Sequence, residues 1–351
     1  MSSIVTVLTT VYNGLPYLKE AIESTLNQTY QDFEYLIIDD ASPDKEVIDL
    51  IQSYKDPRIR LIVNESNLGV SETINKALSI IDSQYIVRLD QDDVSLPSRV
   101  QKQIGYLERN PEISIVCSWE HTIDSEGRRI RSWKKEIKDY GEFLGPILLG
   151  ICPIWHPSIA FRSKDMISVG GFNSKYIRAE DFEVTTRLAL NRLSAGIVPE
   201  YLLLQREHNQ RQSIEFDNKQ IDMTHRIQFE AINNFVNEAE SNRLATFLRL
   251  NNTSKNKFNK NYLLLISRDM SNLFKNISIK QNLNLEEIRS LKRIFIKRIG
   301  FGIQFIKAYK FLPSFLFIPF FYLLSPFFFK GLRKKLASIY NVLQEIRIKK
   351  E

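Results

Sequence analysis

The sequence is poor in the residues and patterns that mark several common protein classes. Its 351 residues contain only two cysteines, Cys117 and Cys152, which lie 35 positions apart. This scarcity argues against a disulfide scaffold and a cysteine zinc site, and it is typical of a protein from a reducing compartment. The N-terminal segment has no basic stretch and no long apolar run, so we expect no secretory signal.

Glycine-rich phosphate-binding motifs are also missing from the sequence. No G-x-G-x-x-G follows the first apolar run, and no G-x-x-x-x-G-K-S/T occurs in the chain. These absences disfavour a dinucleotide-binding fold and a P-loop. A phosphate group bound by this chain is therefore expected to be held by a metal ion rather than by a glycine-rich loop.

The composition is that of a globular protein, but its charge is distributed unevenly. Hydrophobic residues make up 43% and charged residues 25%, which excludes wholesale disorder and fibrous classes. Residues 1–249 carry 28 Lys and Arg against 36 Asp and Glu, whereas residues 250–351 carry 20 against 5. The basic end predicts an anionic partner, either nucleic acid or a membrane surface. The acidic body argues against nucleic acid, so we expect an anionic membrane surface.

Short apolar runs alternate with segments of helical periodicity in the first half of the chain. The apolar runs predict buried strands at 4–8, 35–38, 59–63 and 85–89. The segments between and after them predict four helices. The first begins near Pro16, and the others cover 47–51, 69–81 and 97–109. This alternation predicts an α/β fold with a mixed, mostly parallel sheet between helices. Further along the chain, we predict strands at 113–118, 158–162 and 201–206, a helix over 181–192, and largely helical structure over 215–300.

Three acidic clusters occur where an α/β sheet binds its ligand, at the carboxyl ends of strands. An Asp-Asp pair at 39–40 follows the second apolar run, and Asp-Gln-Asp-Asp at 90–93 follows the fourth. A Glu-Asp pair at 180–181 follows a Gly-Gly turn. Each cluster alone is also compatible with a helix cap or a surface loop, because buried carboxylates without partners are costly. Three clusters at one edge favour a binding site.

The spacing of these carboxylates indicates their chemistry. An Asp-x-Asp turn offers hard oxygen ligands to Mg²⁺ or Mn²⁺, and Mg²⁺ prefers one or two carboxylates together with phosphate oxygens. A diphosphate leaving group needs such charge neutralisation. Asp40 is placed to accept a hydrogen bond from a nucleobase N–H, and Asp181 is placed to take a proton from a hydroxyl nucleophile.

Several segments, in order over about residues 1–210, resemble the family 2 glycosyltransferases. They read VTVLTTVYNG, YLIIDDASPD, NESNLGVSETINKAL, YIVRLDQDDVSLPSRV, HPSIAFR, VGGFNSKYIRAEDFEVTTRLA and YLLLQREH. Each segment alone is a weak signal, but the combination is specific. The resemblance implies a GT-A fold, a nucleotide-diphospho-sugar donor, expected to be a UDP-sugar, and a divalent metal ion. It also implies inversion at the anomeric carbon by direct displacement.

The resemblance also implies a role for each matching residue. The donor nucleotide would contact residues at the ends of strands and in the loop before the third helix: Thr10, Val11, Tyr12, Asp40, Asn67, Gly69 and Asp90. Asp92 would bind the metal ion, and His208 would help to hold the metal or the diphosphate. Asp181 would be the catalytic base, and Glu180 beside it would bind sugar hydroxyls.

One departure from the family pattern bears on the substrate. The family often has an aromatic-Asp-Leu-Trp sequence after the Glu-Asp pair, whereas this chain has Phe-Glu-Val-Thr at 182–185. The missing Trp leaves the base assignment intact, but it leaves open the identity of the acceptor and that of the transferred sugar, either a hexose or an N-acetylhexosamine.

Two other functions make different demands on the sequence. A sugar nucleotidyltransferase would need a Gly-rich loop with a basic residue after the first strand, where this chain has TTVYNG. A catalytically inactive membrane scaffold would be expected to have lost Asp92 or Asp181, and both are present. Both alternatives remain open at this stage.

The charge pattern divides the chain into three predicted parts. These are a catalytic domain over 1–215, a helical basic extension over 216–300, and a membrane-associating segment over 301–351. The last part contains an uncharged apolar run at 311–329, which is long enough to span a bilayer. Three prolines interrupt this run and basic residues flank both of its ends, which favours partial insertion from one side over a span. The alternative is a buried helix pair that packs on the catalytic domain.

A membrane-associating segment also predicts the location and the acceptor. We expect the enzyme at the cytoplasmic face of the cell membrane, as a peripheral or monotopic protein. The acceptor would then be a glycan or a polyprenyl-diphosphate-linked sugar of a cell-surface polysaccharide.

Overall fold

A computed structural model describes residues 4–208, 218–250 and 260–299. In these residues, nine strands form one sheet, and helices cover both of its faces. The strands are β1 (Val5–Val11), β2 (Glu34–Asp39), β3 (Ile59–Val63), β4 (Tyr85–Arg88), β5 (Val94–Ser95), β6 (Ile113–Ile123), β7 (Arg129–Trp133), β8 (Ala160–Arg162) and β9 (Ser194–Arg206). The helices are α1 (Leu15–Leu26), α2 (Glu46–Ser53), α3 (Val70–Ile80), α4 (Arg99–Arg109), α5 (Tyr140–Leu148), α6 (Ser163–Ser168), α7 (Glu180–Leu190), α8 (Asn218–Asn233), α9 (Glu238–Leu250), α10 (Lys260–Lys280) and α11 (Leu285–Ile299).

The sheet joins a parallel half to a mixed half. Its order is β3-β2-β1-β4-β8-β6-β9-β5, and β7 pairs with β6 beside this path. Strands β3, β2, β1 and β4 run parallel, whereas β8 is antiparallel to both of its neighbours. Strand β9 runs parallel to β6. Strands β1, β2, β4, β6 and β9 therefore end at one edge, which we call the carboxyl edge, and the predicted mostly parallel α/β sheet is confirmed.

The sheet is buried on both faces, which explains why its strands read as continuous apolar runs. Neighbouring residues of one strand belong to different cores: Val7 and Ile37 face the layer that includes α1, α2 and α4, whereas Leu8 and Ile38 face the layer that includes α3, α5 and α7. All four side chains are at most 2% exposed. Burial on both sides makes β1 and β2 rigid supports for the residues that follow them.

The C-terminal helices share a core with the layer that includes α5 and α7. Leu291 of α11 and Ile277 of α10 are buried in the same cluster as Phe143 of α5. Polar contacts reinforce this packing, since Arg192 is paired with Glu287 at 2.7 Å. The predicted boundary at residue 215 lies outside the described residues, and the helices on its C-terminal side pack directly on the catalytic half.

Gly141 permits the close approach of α5 and α11, and we expect Gly141→Ala to destabilise the protein. A methyl group at this position would lie 2.1 Å from the Glu287 carbonyl oxygen, so the two helix backbones would have to separate. Overpacking of this kind costs about 1–3 kcal/mol, which exceeds the gain of up to about 1 kcal/mol from replacing a helical glycine.

Gly105→Ala in α4 is the matched control, because there the new methyl group meets only the flexible side chain of Arg109. Thermal unfolding of both variants measures the difference, and we expect a lower Tm for Gly141→Ala alone. Equal or higher Tm values for both variants would contradict this packing.

Among the described residues, none of the helices is both long enough and apolar enough to cross a membrane. The predicted membrane-associating segment at 301–351 lies outside the described residues. The structure therefore leaves that prediction untested.

Candidate active site

The carboxyl edge brings the predicted acidic clusters to one side of the sheet. Asp40 follows β2, and its backbone N–H donates to the carbonyl of Val11 at the end of β1 (2.7 Å). Asp90 and Asp92 follow β4, which pairs with β1 on the side away from β2. The Glu180–Asp181 pair opens α7, which belongs to the helical layer on one face of this sheet.

Asp40 is buried and organises the loop that precedes α3. Its Oδ1 accepts hydrogen bonds from Asn64 Nδ2 (2.7 Å) and Leu68 N (2.9 Å), and its Oδ2 accepts one from Gly69 N (2.8 Å). Burial by itself would raise the pKa of Asp40, but these hydrogen bonds outweigh it and hold the pKa below its ordinary value. Thr73 also forms a hydrogen bond with this carboxylate, so four neighbours stabilise its charged form.

The residues predicted to contact a nucleotide differ in how accessible they are. Tyr12 and Leu68 are 43% and 45% exposed, and they offer apolar surface on either side of the buried Asp40. Thr10 is half-buried at the end of β1, and Asn67 is exposed on the loop before α3. Val11 is the exception, because its side chain is buried in the core and its carbonyl accepts the Asp40 N–H. Val11 therefore positions Asp40 through its backbone rather than through its side chain.

We expect Asp40→Asn to weaken both the fold and nucleotide binding. The new amide would direct N–H groups at the donors of Leu68 or Gly69, and an unsatisfied buried pair costs about 1–3 kcal/mol. Because the pKa of Asp40 is lowered on folding, its contribution to stability is present above the unfolded-state pKa and is lost as pH falls through the native pKa.

Chemical unfolding at neutral pH and nucleotide titration measure these effects. Asp49→Asn is the matched control, because Asp49 is exposed on the helix after the same strand. If Asp40→Asn resembled this control in both measurements, the result would show that Asp40 is not part of the nucleotide site.

Two non-glycine residues in the left-handed region shape the turns after β1 and β2. Asn13 has φ 55° and Ala41 has φ 60°. A chain of hydrogen bonds joins the turns: Ser42 N donates to Asp39 Oδ2, and Ser42 Oγ accepts from Asn13 N, both at 3.0 Å. Backbone of this kind costs about 1–3 kcal/mol and concentrates at functional sites, so both turns mark the carboxyl edge as a site.

Gln91 ties the turn after β4 to the end of β1. Its Oε1 accepts from Tyr12 N (2.8 Å), and its Nε2 donates to Tyr12 O (3.0 Å). A methyl group at Gly14 would lie 2.7 Å from Gln91 Oε1, so only glycine leaves room for this contact. Gln91 therefore fixes the exposed Tyr12 relative to Asp90 and Asp92, although by sequence it is only the spacer between the two aspartates.

The two predicted metal ligands lie in contact. His208 Nε2 and Asp92 Oδ2 share a hydrogen bond of 2.8 Å, and the His208 ring packs on Tyr17 with centroids 4.9 Å apart. The next aspartate, Asp93, has a structural role, because its buried Oδ1 accepts from Arg206 N (2.8 Å). The end of β9 is thereby held against the turn that carries Asp92.

A divalent ion fits this pair only with ligands from the substrate. Within 4–208, 218–250 and 260–299, no group of three His, Cys, Asp or Glu side chains is placed to hold a metal ion. Asp92 and His208 together offer one carboxylate and one imidazole, and a diphosphate would supply further oxygens. Mg²⁺ and its relatives are commonly bound in this way, by one or two protein ligands plus substrate phosphates.

Arg88 is the cation at the centre of the site. Its guanidinium donates to Asp90 Oδ1 (2.6 Å) and to His156 Nδ1 (2.5 Å). An arginine can only donate, so His156 Nδ1 is the acceptor and Nε2 carries the hydrogen. Burial and the charge of Arg88 hold the pKa of His156 well below its ordinary value, so the ring is neutral. Its buried Nε2–H has no hydrogen-bond partner among the described residues.

A second arginine, Arg99, stabilises the backbone that carries the site. It is fully buried, and it donates to Gln103 Oε1 (3.0 Å) and to the carbonyls of Arg88 (2.6 Å) and Ile159 (3.3 Å). Burial lowers its pKa to about 10, against the opposing charge of nearby carboxylates, of which Asp93 contributes most. Arg99 therefore remains charged at neutral pH and joins the end of β4 to the start of β8.

Glu180 and Asp181 are half-buried in the first turn of α7. Burial raises the pKa of Asp181, although the N–H of Phe182, which donates to Asp181 Oδ1 at 2.7 Å, and the charge of Arg88 oppose the rise. Burial also raises the pKa of Glu180, and the charge of Asp181 adds to this. A carboxylate with a raised pKa is a stronger base, which suits proton abstraction from a hydroxyl.

The Gly-Gly turn before α7 is held from two sides. The amide of Asn75 on α3 donates to the Phe172 carbonyl (2.7 Å) and accepts from the Phe172 N–H (2.8 Å). Arg187 on α7 donates to the Gly171 carbonyl (2.6 Å) and is paired with Glu183 (2.6 Å). These contacts fix the start of the loop that leads to Glu180 and Asp181.

The far end of that loop is held by α8. Tyr176 OH donates to Glu230 Oε2 (2.7 Å), and Gln220 Nε2 donates to the carbonyl of Arg178 (3.0 Å). Arg178 adopts a φ of 66°, which a residue with a side chain rarely does without support. Helix α8 lies beyond the recognisable motifs, yet it positions the candidate base.

The sequence did not reveal the residues that orient the predicted ligands. Arg88, Gln91, Arg99 and Asn75 act through contacts with residues from 11 to 97 positions away. Such pairings have no signature in a single sequence, because each residue type is also common at surfaces. The fully buried Arg99 offered one weak signal, since it lies at helical spacing with the apolar face of α4.

The site and fold agree with comparisons to known proteins. The sequence model of the family described as "Glycosyl transferase family 2" matches residues 6–170 of this chain. An uncharacterised glycosyltransferase of Methanocaldococcus jannaschii is 36% identical over 209 residues, which cover 59% of this chain and 71% of that protein. An uncharacterised glycosyltransferase of Haemophilus influenzae is 30% identical over 250 residues, which cover 67% of this chain and 75% of that protein.

A solved structure supports the fold independently. The crystal structure of S. aureus TarS 1-349 in complex with UDP-GlcNAc superposes with a TM-score of 0.57 and covers 88% of each chain at 15% identity. At this identity the match supports the fold and leaves the substrate open. The strand order, the acidic clusters and the relatives together show that the chain belongs to the family 2 glycosyltransferases and has their GT-A fold.

Proposed function

We propose that this glycosyltransferase is a metal-dependent inverting enzyme that transfers a sugar from a nucleotide-diphospho-sugar to a hydroxyl of an acceptor. The observation that carries the proposal is the position of Asp181. It is a half-buried carboxylate with a raised pKa, and it lies within the electrostatic reach of Arg88, which contacts Asp90 directly. A base and an Asp-x-Asp turn on either side of one cation suit an acceptor hydroxyl and a diphosphate, respectively.

The nucleotide end of the donor is proposed to bind over β1 and β2. Tyr12 and Leu68 offer exposed apolar surface for a base, and the charged Asp40 carboxylate beside Leu68 suits a ring N–H of the kind uracil carries. The TarS structure contains UDP-GlcNAc, which supports a UDP-sugar as the first donor to test. A hexose and an N-acetylhexosamine are both candidates for the transferred sugar.

Asp92 and His208 are the residues proposed to hold Mg²⁺ or Mn²⁺. When bound, the ion would neutralise charge on the nucleoside diphosphate as it departs. Asp90 is oriented by Arg88 toward the donor sugar or ribose, and the Nε2–H of His156 is a donor for a sugar oxygen.

The proposed reaction is a single displacement at the anomeric carbon. Asp181 accepts the proton of the acceptor hydroxyl as its oxygen forms a bond to C1 of the donor sugar. The bond from C1 to the diphosphate oxygen breaks, and the nucleoside diphosphate leaves with the electron pair. Attack from the side opposite the leaving group inverts the configuration at C1, and Glu180 beside the base would hold a hydroxyl of either sugar.

The enzyme is proposed to work at the cytoplasmic face of the cell membrane as a peripheral or monotopic protein, on a glycan or polyprenyl-diphosphate-linked acceptor of a cell-surface polysaccharide. The apolar run at 311–329 with its basic flanks supports this location. Each well-placed Lys or Arg adds on the order of 1 kcal/mol of attraction to anionic lipid.

Vesicle flotation tests this location. We expect the full chain to float with vesicles that contain anionic lipid, and a chain ending at Ile299 to remain in the soluble fraction. Ending the chain there retains α10 and α11, which belong to the core, and activity on a water-soluble acceptor would verify its fold. A full chain that stays soluble without detergent and does not float would contradict the membrane proposal.

A screen of nucleotide-sugars tests the reaction itself. Release of nucleoside diphosphate is measured for each donor with a panel of hydroxyl acceptors, in the presence and absence of EDTA. We expect acceptor-dependent release from one donor class and its loss in EDTA. Release of a nucleoside triphosphate or a dependence on pyrophosphate would instead identify a nucleotidyltransferase.

A further inference from the structure

The acidic catalytic body contains one concentrated basic segment, residues 126–138. It includes the turn after β6, strand β7 and the stretch that leads to α5. Six of its thirteen residues are Lys or Arg and two are Glu, whereas residues 1–249 as a whole carry an excess of acidic residues. Strand β7 pairs with the end of β6, so the segment begins at the carboxyl edge.

Half of these cations are already neutralised by carboxylates. Arg128 is paired with Asp124 at 2.7 Å, Arg131 is paired with Glu207, and Lys138 lies 3.9 Å from Glu136. These pairs are largely exposed, and they account for the solvated face of the segment.

The other three cations, Arg129, Lys134 and Lys135, form no ion pair with a carboxylate in the part of the chain that the structure describes. Arg129 contacts the His121 ring at 3.0 Å, and Lys134 lies 5.8 Å from the centre of the Trp119 ring. Their positive charge is therefore available to a ligand.

Lys135 is the innermost of the three. Its side chain is half-buried, and burial lowers its pKa. Among the described residues, its Nζ donates one long hydrogen bond, of 3.4 Å, to the Pro153 carbonyl. The same loop contains Cys152, whose thiol pKa is raised by burial and also by the charge of Asp181. Lys135 thus reaches the loop that lies beside the candidate base.

Trp133 of the basic segment contacts Trp155, which follows this loop. The rings of Trp133 and Trp155 are 5.2 Å apart and inclined by 33°, and both side chains are half-buried. The Nε1–H of Trp155 is shielded from water and has no hydrogen-bond partner among the described residues. Trp133 and Cys152 pack on the same core as Phe182, the residue after Asp181. An aromatic surface with an unused N–H next to a base suits a sugar ring.

We propose that Trp133, Trp155 and Lys135 form an acceptor subsite, with Arg129 and Lys134 at its outer rim, that binds an anionic group of the acceptor. The proposal rests on the proposed glycosyltransferase reaction and specifies its acceptor as a glycan that carries phosphate or carboxylate. The subsite holds the sugar against the tryptophans with its hydroxyl toward Asp181 and its negative group toward Lys135.

An anionic acceptor needs a cationic subsite because the neighbouring edge of the sheet is acidic. The Asp92 turn and the Glu180–Asp181 pair make the neighbouring edge acidic, so an anionic acceptor would be repelled without local compensation. A half-buried lysine that lacks a carboxylate partner gains most from an anionic ligand. The cations lie beside β6, whereas Asp40, where the nucleotide is proposed to bind, follows β2, and β1, β4 and β8 lie between these two strands in the sheet.

Acceptor kinetics with the full-length protein test the subsite. The probes are alkyl glycosides of one sugar in neutral, phosphate-bearing and carboxylate-bearing forms, used with the donor that the nucleotide-sugar screen identifies. The variants are Lys135→Gln, Arg129→Gln and Trp155→Phe. The matched control is Lys164→Gln, which removes an exposed charge from α6 at the opposite edge of the sheet.

We expect the wild type to use one anionic form about tenfold better than the neutral form in kcat/KM, the effect of one charge-assisted contact. Lys135→Gln should remove most of this preference and Arg129→Gln part of it, through acceptor KM and without a change in donor KM. Trp155→Phe should raise acceptor KM for all forms, and Lys164→Gln should match the wild type. Whichever glycoside the wild type prefers, the phosphate-bearing or the carboxylate-bearing one, identifies the anionic group that the subsite binds.

Equal use of neutral and anionic acceptors by the wild type would overturn the subsite while leaving the glycosyltransferase reaction intact. An unchanged preference in both Lys135→Gln and Arg129→Gln, each with wild-type donor KM as proof of folding, would also overturn it. If no acceptor promotes release of nucleoside diphosphate from any donor, the proposed function fails and the subsite fails with it.

Discussion

Asp181→Asn is expected to reduce kcat by about 10³-fold while leaving donor affinity unchanged. The carboxylate takes the acceptor proton only as the new bond forms, so its loss affects the transition state rather than the bound donor. The amide is nearly isosteric and can still accept the hydrogen bond from Phe182 N that orients the side chain. Steady-state kinetics together with donor titration separate the two effects.

The raised pKa of Asp181 leads to two further expectations, one for the wild type and one for this variant. In the wild type, the rate should fall as pH falls through the pKa of Asp181, at a higher pH than for an ordinary aspartate. Because ionising a carboxyl with a raised pKa opposes folding, Asp181→Asn should be at least as stable as the wild type at neutral pH. Equal losses of donor binding and turnover, or a lower unfolding temperature, would point to a structural role instead.

Asp92→Asn is expected to abolish metal-dependent turnover without loss of the fold. Charge stabilisation of a departing diphosphate by a metal ion amounts to several kcal/mol, so the loss should be on the order of 10³-fold or more. Asp92 is half-buried, and its side chain contacts His208 rather than a backbone group, so its replacement leaves the sheet intact. Asp93→Asn would be a poor comparison, because Asp93 holds Arg206 in place.

Mn²⁺ binding measured by electron paramagnetic resonance gives a readout of Asp92 that does not depend on activity. We expect Asp92→Asn to lose ion binding in the presence of nucleoside diphosphate, and His208→Gln to weaken it. Asp82→Asn is the matched control, because Asp82 is exposed at the opposite edge of the sheet. Near wild-type activity of Asp92→Asn in Mn²⁺ would show that the metal assignment is wrong.

The parallel half of the fold was predictable because its strands are buried on both faces. The runs at 35–38 and 59–63 lie within β2 and β3, and the acidic clusters after the second and fourth runs had to meet because parallel strands end at one edge. The predicted strand at 158–162 is shorter in the structure, because His156–Ser158 forms a 3-10 turn and β8 begins at Ala160.

The mixed half gave weaker signals for identifiable physical reasons. Strand β7 is short, charged and mostly exposed, so it lacks the apolar alternation of a half-buried strand. Helix α5 contains Gly141, Gly145 and Pro146, which normally indicate turns, and here the two glycines admit α11 instead. In both cases, tertiary packing overrides local preference.

The functional residues divide in the same way. Asp40, Asp92 and Asp181 could be selected as candidates from the sequence, because three acidic clusters at strand and helix ends were expected to meet at one edge. The residues that orient them were not, because Arg88 and Gln91 act through contacts that only the folded sheet creates. The helical C-terminal region adds a further case, since Gln220 of α8 holds the loop that leads to Asp181.

Residues at the carboxyl edge are proposed to transfer a sugar from a nucleotide-diphospho-sugar to a hydroxyl with inversion. A proton NMR time course with an α-linked UDP-sugar, a hydroxyl acceptor and Mn²⁺ removed before observation tests it most directly. We predict equal amounts of UDP and of a glycoside whose anomeric coupling constant shows the β configuration, and neither product with Asp181→Asn. A glycoside that retains the α configuration, or full formation of product by Asp181→Asn, would contradict the account.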